Sequence, residues 1–262
     1  MKLRVHSWGG LGSQLFALSL LFELKKRFPN KEMLLIHHTS GVSRRLFELD
    51  SILDPSIKLK IIDDYKLLSY NNSKSSYQKK VKRFLIKKLK SILEKIRLSI
   101  NYDQNKDLSS IKPWTIMIRG HYSGSLIGED FFSYFINKLK YTKQNATSNY
   151  LVIHYRLGDL INLDNKSIIP PENLIEKVKR ILTKAKFGKI IIYSDSIDEA
   201  QNTLFPIEKL FSKVEYSSEP TIEVVRNSVN AKYFVGTNSK VSIWIIKFRD
   251  HLGMPSEILE HK

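Results

Sequence analysis

Residues 150–159 read Tyr150-Leu151-Val152-Ile153-His154-Tyr155-Arg156-Leu157-Gly158-Asp159. A short apolar run that ends abruptly in polar residues and glycine is the pattern of a strand buried on both faces of a parallel sheet. From His154 to Asp159 an imidazole, a guanidinium, a glycine and a carboxylate then follow, where the strand gives way to a loop. In open α/β sheets ligands bind outside the carboxyl ends of the strands. The planar fork of Arg156 can grip two phosphate oxygens at once, which a lysine does less specifically. The same residues also suit a plain loop in which Arg156 pairs with Asp159 and His154 merely ends the strand. The rest of the chain bears on the choice.

Strand and helix patterns alternate on both sides of this stretch. Toward the C-terminus come a helix opened by Pro170-Pro171-Glu172, a strand at Lys189–Tyr193, a helix over Ile197–Leu204, a strand near Val214, a helix over Thr221–Val229, a strand at Lys232–Val235 and a helix over Lys240–Leu252. Toward the N-terminus a strand at Leu3–Trp8 leads through a glycine turn into a helix over Ser13–Phe28, with Leu15, Leu18, Leu21, Phe22 and Leu24 as its apolar face. Strands at Glu32–His37, Lys58–Ile62 and Trp114–Ile118 and a helix over Glu129–Leu139 follow, and Ser69–Ser76 reads as a loop. The polar stretch Lys143–Asn149 has linker character, which sets domains at 1–145 and 146–262. Alternation of this kind predicts an α/β protein of two domains, each a parallel sheet covered by helices.

With 262 residues, 42% of them hydrophobic, the chain can bury a sizeable core. No apolar run reaches the ~20 residues that cross a bilayer, and Met1–Trp8 lacks a signal-peptide core, so a soluble protein of the cytoplasm is expected. There is no cysteine, hence neither a disulfide nor a thiolate metal ligand. The net charge of +17 is partly concentrated: Lys79–Arg97 holds nine Lys or Arg against the single acid Glu94. In the same stretch Val81, Phe84, Leu85, Leu89, Ile92, Leu93 and Ile96 recur at spacings of three and four, the pattern of a basic amphipathic helix. Such a helix is either a solvated face over a core-facing stripe or a peripheral contact with an anionic membrane. Nucleic acid is a further polyanion open to a basic chain. No basic sheet interleaved with aromatics accompanies it, and a nucleic-acid partner is not expected.

Three more strand ends carry chemistry. Gly9-Gly10-Leu11-Gly12-Ser13-Gln14 is a glycine-rich strand-to-helix turn that lets backbone approach a ligand at a helix N-terminus; a tight turn needs the same glycines. Asp195, in Tyr193-Ser194-Asp195-Ser196, either accepts hydrogen bonds from a nucleoside or caps the next helix. Gly236-Thr237-Asn238-Ser239-Lys240-Val241-Ser242 brings hydroxyls, amides and a lysine to a helix N-terminus, an anion site by construction. Arg119-Gly120-His121-Tyr122-Ser123 follows a further strand.

In this order and spacing the chain resembles the family 11 glycosyltransferases, the α-1,2-fucosyltransferases, and the wider fucosyltransferase superfamily. Gly9-Gly10-Leu11-Gly12-Ser13-Gln14-Leu15-Phe16 is similar to the opening G-G-L-G-N-Q-M-F, and Arg119–Ser123 to a G-Y-F-Q segment. His154–Asp159 is similar to H-x-R-R-G-D, Tyr193-Ser194-Asp195 to F-S-D-D, and Asn238–Trp244 to N-S-x-F-S-W-W. The resemblance implies a GT-B fold with two Rossmann-like domains facing a cleft. The first domain would serve the acceptor and the second hold a nucleotide-sugar, GDP-fucose foremost, for inverting transfer without a metal or other cofactor. It further implies Arg156 on the β-phosphate, Ser239 and Ser242 as donors with Asn238 beside them, and Asp195 and the His154 backbone on the nucleoside. Gly10 and Gly12 would approach the sugar or diphosphate. Asp159 would orient Arg156 or His154 or act as base, with His121 and Glu129 as further base candidates. The acceptor expected is an oligosaccharide or lipid-linked glycan of surface polysaccharide or O-antigen synthesis. The chain departs from the family pattern at Leu157, where the family has a second arginine, and at Ser196, where it has a second aspartate.

Overall fold

The computed structural model describes residues 2–40, 44–64, 88–89, 91–103, 108–123, 128–139, 148–162 and 168–260, with the side chains of Asp159 and Asn162 outside the description. The chain divides into two compact units, Met1–Ser133 and Tyr134–Lys262. The boundary expected at 145 lies outside the described residues, as do the Ser69–Ser76 loop and all but residues 88, 89 and 91–97 of the expected basic helix.

The first unit is built on a five-stranded parallel sheet in the order β3-β2-β1-β5-β4, where β1 is Lys2–Trp8, β2 Glu32–His38, β3 Ile57–Ile62, β4 Ser99–Asn101 and β5 Met117–Arg119. Gly9, at φ +86°, turns the chain out of β1, and the Gly10 carbonyl accepts the first bonds of α1 (Leu11–Arg27) from the Ser13 and Gln14 amides. The helix therefore starts two residues before the sequence pattern suggests. It is buried on more than one face, Gln14 and Ser19 included. Burial of those polar groups is tolerated because Gln14 Nε2 donates to the Gly9 and Leu46 carbonyls, its Oε1 accepts from the Glu48 amide, and Ser19 Oγ donates to the Phe16 carbonyl. β5 begins at Met117, not Trp114. Pro113 and a Lys112–Thr115 turn, in which Thr115 Oγ1 accepts from the Lys112 amide, leave Trp114 on the surface, 53% exposed. Helix α2 runs over Glu129–Lys138.

The second unit has a five-stranded parallel sheet in the order β10-β9-β6-β7-β8. Its elements are β6 (Tyr150–Tyr155), α3 (Pro171–Lys184), β7 (Lys189–Ser194), α4 (Ile197–Leu210), β8 (Val214–Ser217), α5 (Thr221–Asn230), β9 (Tyr233–Thr237), α6 (Lys240–His251) and β10 (Ser256–Leu259). The continuous apolar runs reflect burial of both sheet faces. Leu151, Ile153, Ile190 and Ile192 share one core with Leu174, Val178 and Ile181 of α3 and Ala200, Leu204 and Ile207 of α4. Those three α3 residues recur at helical spacing, and burying each contributes roughly 2 kcal/mol. Arg249, fully buried on α6, stands in for a helix cap: Nη1 donates to the carbonyls of Ser228, Val229 and Ala231 at the end of α5, and Nη2 to Pro255.

Each sheet has a topological switch. In the second unit β6, β7 and β8 run outward in chain order to one side, after which the chain returns to place β9 and β10 on the other. The β6–β9 boundary is thus where a doubly wound sheet opens a crevice at its carboxyl edge.

Candidate functional site

Register sets Tyr155 beside Ser194 and His154 beside Gly236, so the loops after β9, β6 and β7 leave the second sheet side by side. Asp195, just past β7, does not cap α4. Its Oδ1 accepts the Leu157 amide at 2.9 Å, and its Oδ2 lies 3.1 Å from Arg156 Nε. The carboxylate thereby fixes both the loop and the plane of the guanidinium. Gly158 makes this possible: at φ +24°, a Cβ there would collide with the Asp195 carboxylate. Leu157, at the family's second-arginine position, turns its side chain into the core with Tyr155 and Leu174 and is 2% exposed. A charged side chain has no place there.

On the other flank, Thr237 at the end of β9 ties the loop down. Its Oγ1 accepts from the Arg156 amide at 2.9 Å and donates to the His154 carbonyl at 3.2 Å. Ser239 is the N-cap of α6, accepting from the Ser242 amide at 3.0 Å, and its hydroxyl contacts that of Ser242 at 3.1 Å. Ser242 is fully buried and meets His154 Nδ1 at 2.8 Å. Ser239 Oγ, Ser242 Oγ and His154 Nδ1 thus form a chain of hydrogen bonds that ends on the buried imidazole. Burial above all, and then the Arg156 charge, hold the His154 pKa down at about 4 against the pull of Asp195, so the ring is neutral at pH 7. Gly236 lets the first turn of α6 come this close, since a Cβ there would lie 2.7 Å from Ser242 Cβ. Asn238 is exposed between β9 and the cap, and Asp159 falls in the short 3-10 turn Gly158–Asn162.

The edge so formed has an oriented guanidinium, the amino end of a 12-residue helix and a neutral, buried histidine behind them. That combination suits a diphosphate: the helix end favours negative charge and the guanidinium supplies bidentate donors. Gly158→Ala is expected to push Asp195 out of place while leaving the core untouched. Nucleoside-diphosphate affinity should then fall roughly tenfold, ~1.4 kcal/mol, in a calorimetric titration, and unchanged affinity would show that the Asp195 contacts do not matter.

The remaining expected residues belong to the first unit. Leu11, beside Gly10 at the start of α1, gives its amide to Glu48 Oε1 at 2.9 Å, so a carboxylate of the chain itself sits at that helix end, and Gly12 is buried inside the helix. His121 is exposed, its amide bonded to Asp103 Oδ1 at 2.8 Å, and Glu129 is exposed in the first turn of α2. Thr237 and Gly158 stand inside the motifs read from sequence, without the roles they take here, and Glu48 was not singled out there. Nor was a relay at the carboxyl ends of β1 and β2: Asp64 Oδ2 meets His38 Nδ1 at 2.7 Å, and His38 Nε2 meets His6 Nδ1 at 2.9 Å. Trp8 stacks on His38 with ring centroids 4.6 Å apart. Burial, then His38, Arg119 and Arg4, lower the His6 pKa to about 4. The only sequence signal for this cluster is that His6, Trp8 and His38 fall near the ends of adjacent strands.

No family model matches the chain, and comparison with curated proteins finds no match. Among solved structures, E. coli heptosyltransferase WaaC with ADP-2-deoxy-2-fluoro heptose is similar at a TM-score of 0.51 and 12% identity, covering 98% of this chain and 88% of that one. The same enzyme with ADP gives a TM-score of 0.51 at 12% identity, covering 98% and 87%. POFUT1 in complex with GDP gives 0.49 at 10% identity, covering 97% and 98%. The fold is α/β with two parallel-sheet Rossmann-like domains, matching glycosyltransferase structures of the GT-B type.

Proposed function

We propose that the chain is a glycosyltransferase that moves a sugar from a nucleoside-diphosphate donor to a hydroxyl of a glycan acceptor. Inversion at the anomeric carbon, GDP-fucose as donor and independence of a metal complete the proposal. The observation that carries it is the Arg156 guanidinium, held by Asp195 at the β6–β9 switch point beside the amino end of α6. As the glycosidic bond breaks, negative charge builds on the departing diphosphate. Donors already fixed where that charge appears stabilise it without reorganisation. Arg156 supplies the cation and the first turn of α6 the backbone dipole, while neutral His154 packs beneath and sets the Ser242–Ser239 cap. The fucosyl donor rests on the five collinear motifs between Gly9 and Trp244. Asp159, His121 and Glu129 are the candidates for taking the acceptor proton, and the acceptor is an oligosaccharide or a lipid-linked glycan of surface polysaccharide or O-antigen synthesis.

A panel of GDP-, ADP-, UDP- and dTDP-sugars incubated with the purified protein and a glycan acceptor tests the proposal. Release of GDP from GDP-fucose is expected to dominate. Preference for UDP- or dTDP-sugars would overturn the fucosyl assignment while leaving the transferase, and release of no diphosphate from any donor would overturn the transferase.

A further inference from the structure

Exposed large apolar side chains gather at one place in the first unit. Leu89, Ile92 and Ile96 are 58%, 49% and 52% exposed, and Trp114 is 53% exposed with its indole Nε1 donating to the Ile96 carbonyl at 3.2 Å. Residues 91–95 are helical, and Arg97 ends the turn at φ +57°. Leu89, Ile92 and Ile96 therefore follow helical spacing, and Trp114, from the turn before β5, extends the same surface. Side chains of this size scattered singly need no explanation, but four together do.

The surroundings are cationic. Lys88, Lys95 and Arg97 are exposed and Lys112 half-buried, while the acid in this segment, Glu94, is held by Arg119 at 2.9 Å. A hollow of about 230 Å³ adjoins Glu94, Lys95 and Arg97 and is further lined by Ser99, Ile100, Asn101 and Ser110. Lysine, arginine and hydroxyls beside exposed isoleucine and tryptophan match the two layers of a bilayer surface. Indole and aliphatic groups enter the acyl boundary while the cations meet lipid phosphates. Duplex or single-stranded nucleic acid would use the cations but would leave the three aliphatic side chains without a role.

We infer that Leu89, Ile92, Ile96 and Trp114, ringed by Lys88, Lys95, Arg97 and Lys112, form a docking surface for an anionic phospholipid membrane. The inference does not depend on the transferase proposal, and its test does not measure transfer. The 262-residue chain is sedimented with vesicles of phosphatidylcholine alone and of phosphatidylcholine with one-third phosphatidylglycerol, at low and at high salt. Binding is expected to the anionic vesicles at low salt and to weaken at high salt. It should fall tenfold or more in the triple variant Ile92→Ser, Ile96→Ser, Trp114→Ala. The substituted side chains are half exposed, so the variant is expected to keep the wild-type circular dichroism, and a second variant, Lys95→Glu with Arg97→Glu, probes the charge independently. Absence of sedimentation with anionic vesicles, or equal sedimentation of the triple variant, would overturn the inference. Vesicle binding displaced by single-stranded RNA, with RNA affinity unaffected by the triple substitution, would assign the surface to nucleic acid instead.

Discussion

Arg156→Ala is expected to lower turnover roughly a thousandfold, ~4 kcal/mol of transition-state stabilisation, with little change in thermal stability. The side chain is 26% exposed and its ion pair with Asp195 lies at the sheet edge, so its loss opens no cavity. The backbone is held separately, by Thr237 at the Arg156 amide and by Asp195 at the Leu157 amide, and neither bond involves the guanidinium. Arg156→Lys should recover only part of the loss, because an ammonium keeps the charge but not the fork. Asp195→Asn is expected to fall between the two, since an amide can still accept from Leu157 but no longer fixes the guanidinium by charge. Steady-state kinetics on the three variants, with melting temperatures alongside, provide the check. Near-normal turnover in Arg156→Ala would remove the guanidinium from the chemistry.

Acid is expected to destabilise the second unit between about pH 6.5 and pH 4, with the loss beginning above the range in which carboxylates titrate. His154 has an ordinary pKa of 6.5 and a folded value of about 4. The unfolded chain takes up the proton first, so stability is full above pH 6.5, declines as pH falls and levels off below the folded value. The shift corresponds to about 3 kcal/mol for this fully buried ring. His6, held near 4 mainly by burial, and His37, lowered chiefly by burial, act in the same direction in the first unit. Urea unfolding at pH 7.5, 6.0, 5.0 and 4.5 reads the effect, with His154→Gln as the variant whose slope should flatten. A His154→Gln slope equal to wild type would show that the buried ring is not the titrating group.

The parts of this architecture that announce themselves in sequence do so through burial. Tyr150–Tyr155 and Ile190–Ile192 are apolar because both faces of a central parallel strand are covered, so the strand and its carboxyl end can be placed from composition alone. Edge strands lack that mark: Ser99–Asn101 and Ser256–Leu259 carry mixed residues and join the sheet through backbone pairing with β5 and β9. Trp114 reads as strand because an indole favours sheets, yet Pro113 and the Thr115 side chain make a turn there. Within the site, the types of Arg156, Asp195 and Ser239 were legible, whereas their partners were not. Nothing local tells that Asp195 reaches a β6 loop 38 positions away in the chain, or that Ser242 faces His154 across 88. Such contacts come from strand pairing, which sets β7 beside β6 and brings β9 to the other side of β6 out of sequence. Leu157 is the clearest lesson: read as a lost arginine, it is a core residue whose amide does the work at the site.

A crystal structure with GDP bound would test the central claim most directly. The β-phosphate is predicted within hydrogen-bonding distance of the Arg156 guanidinium and beside the first-turn amides of α6, with Asp195 still bonded to the Leu157 amide. Nucleotide bound elsewhere on the chain, with Arg156 paired to Asp195 and no phosphate at that sheet edge, would contradict it.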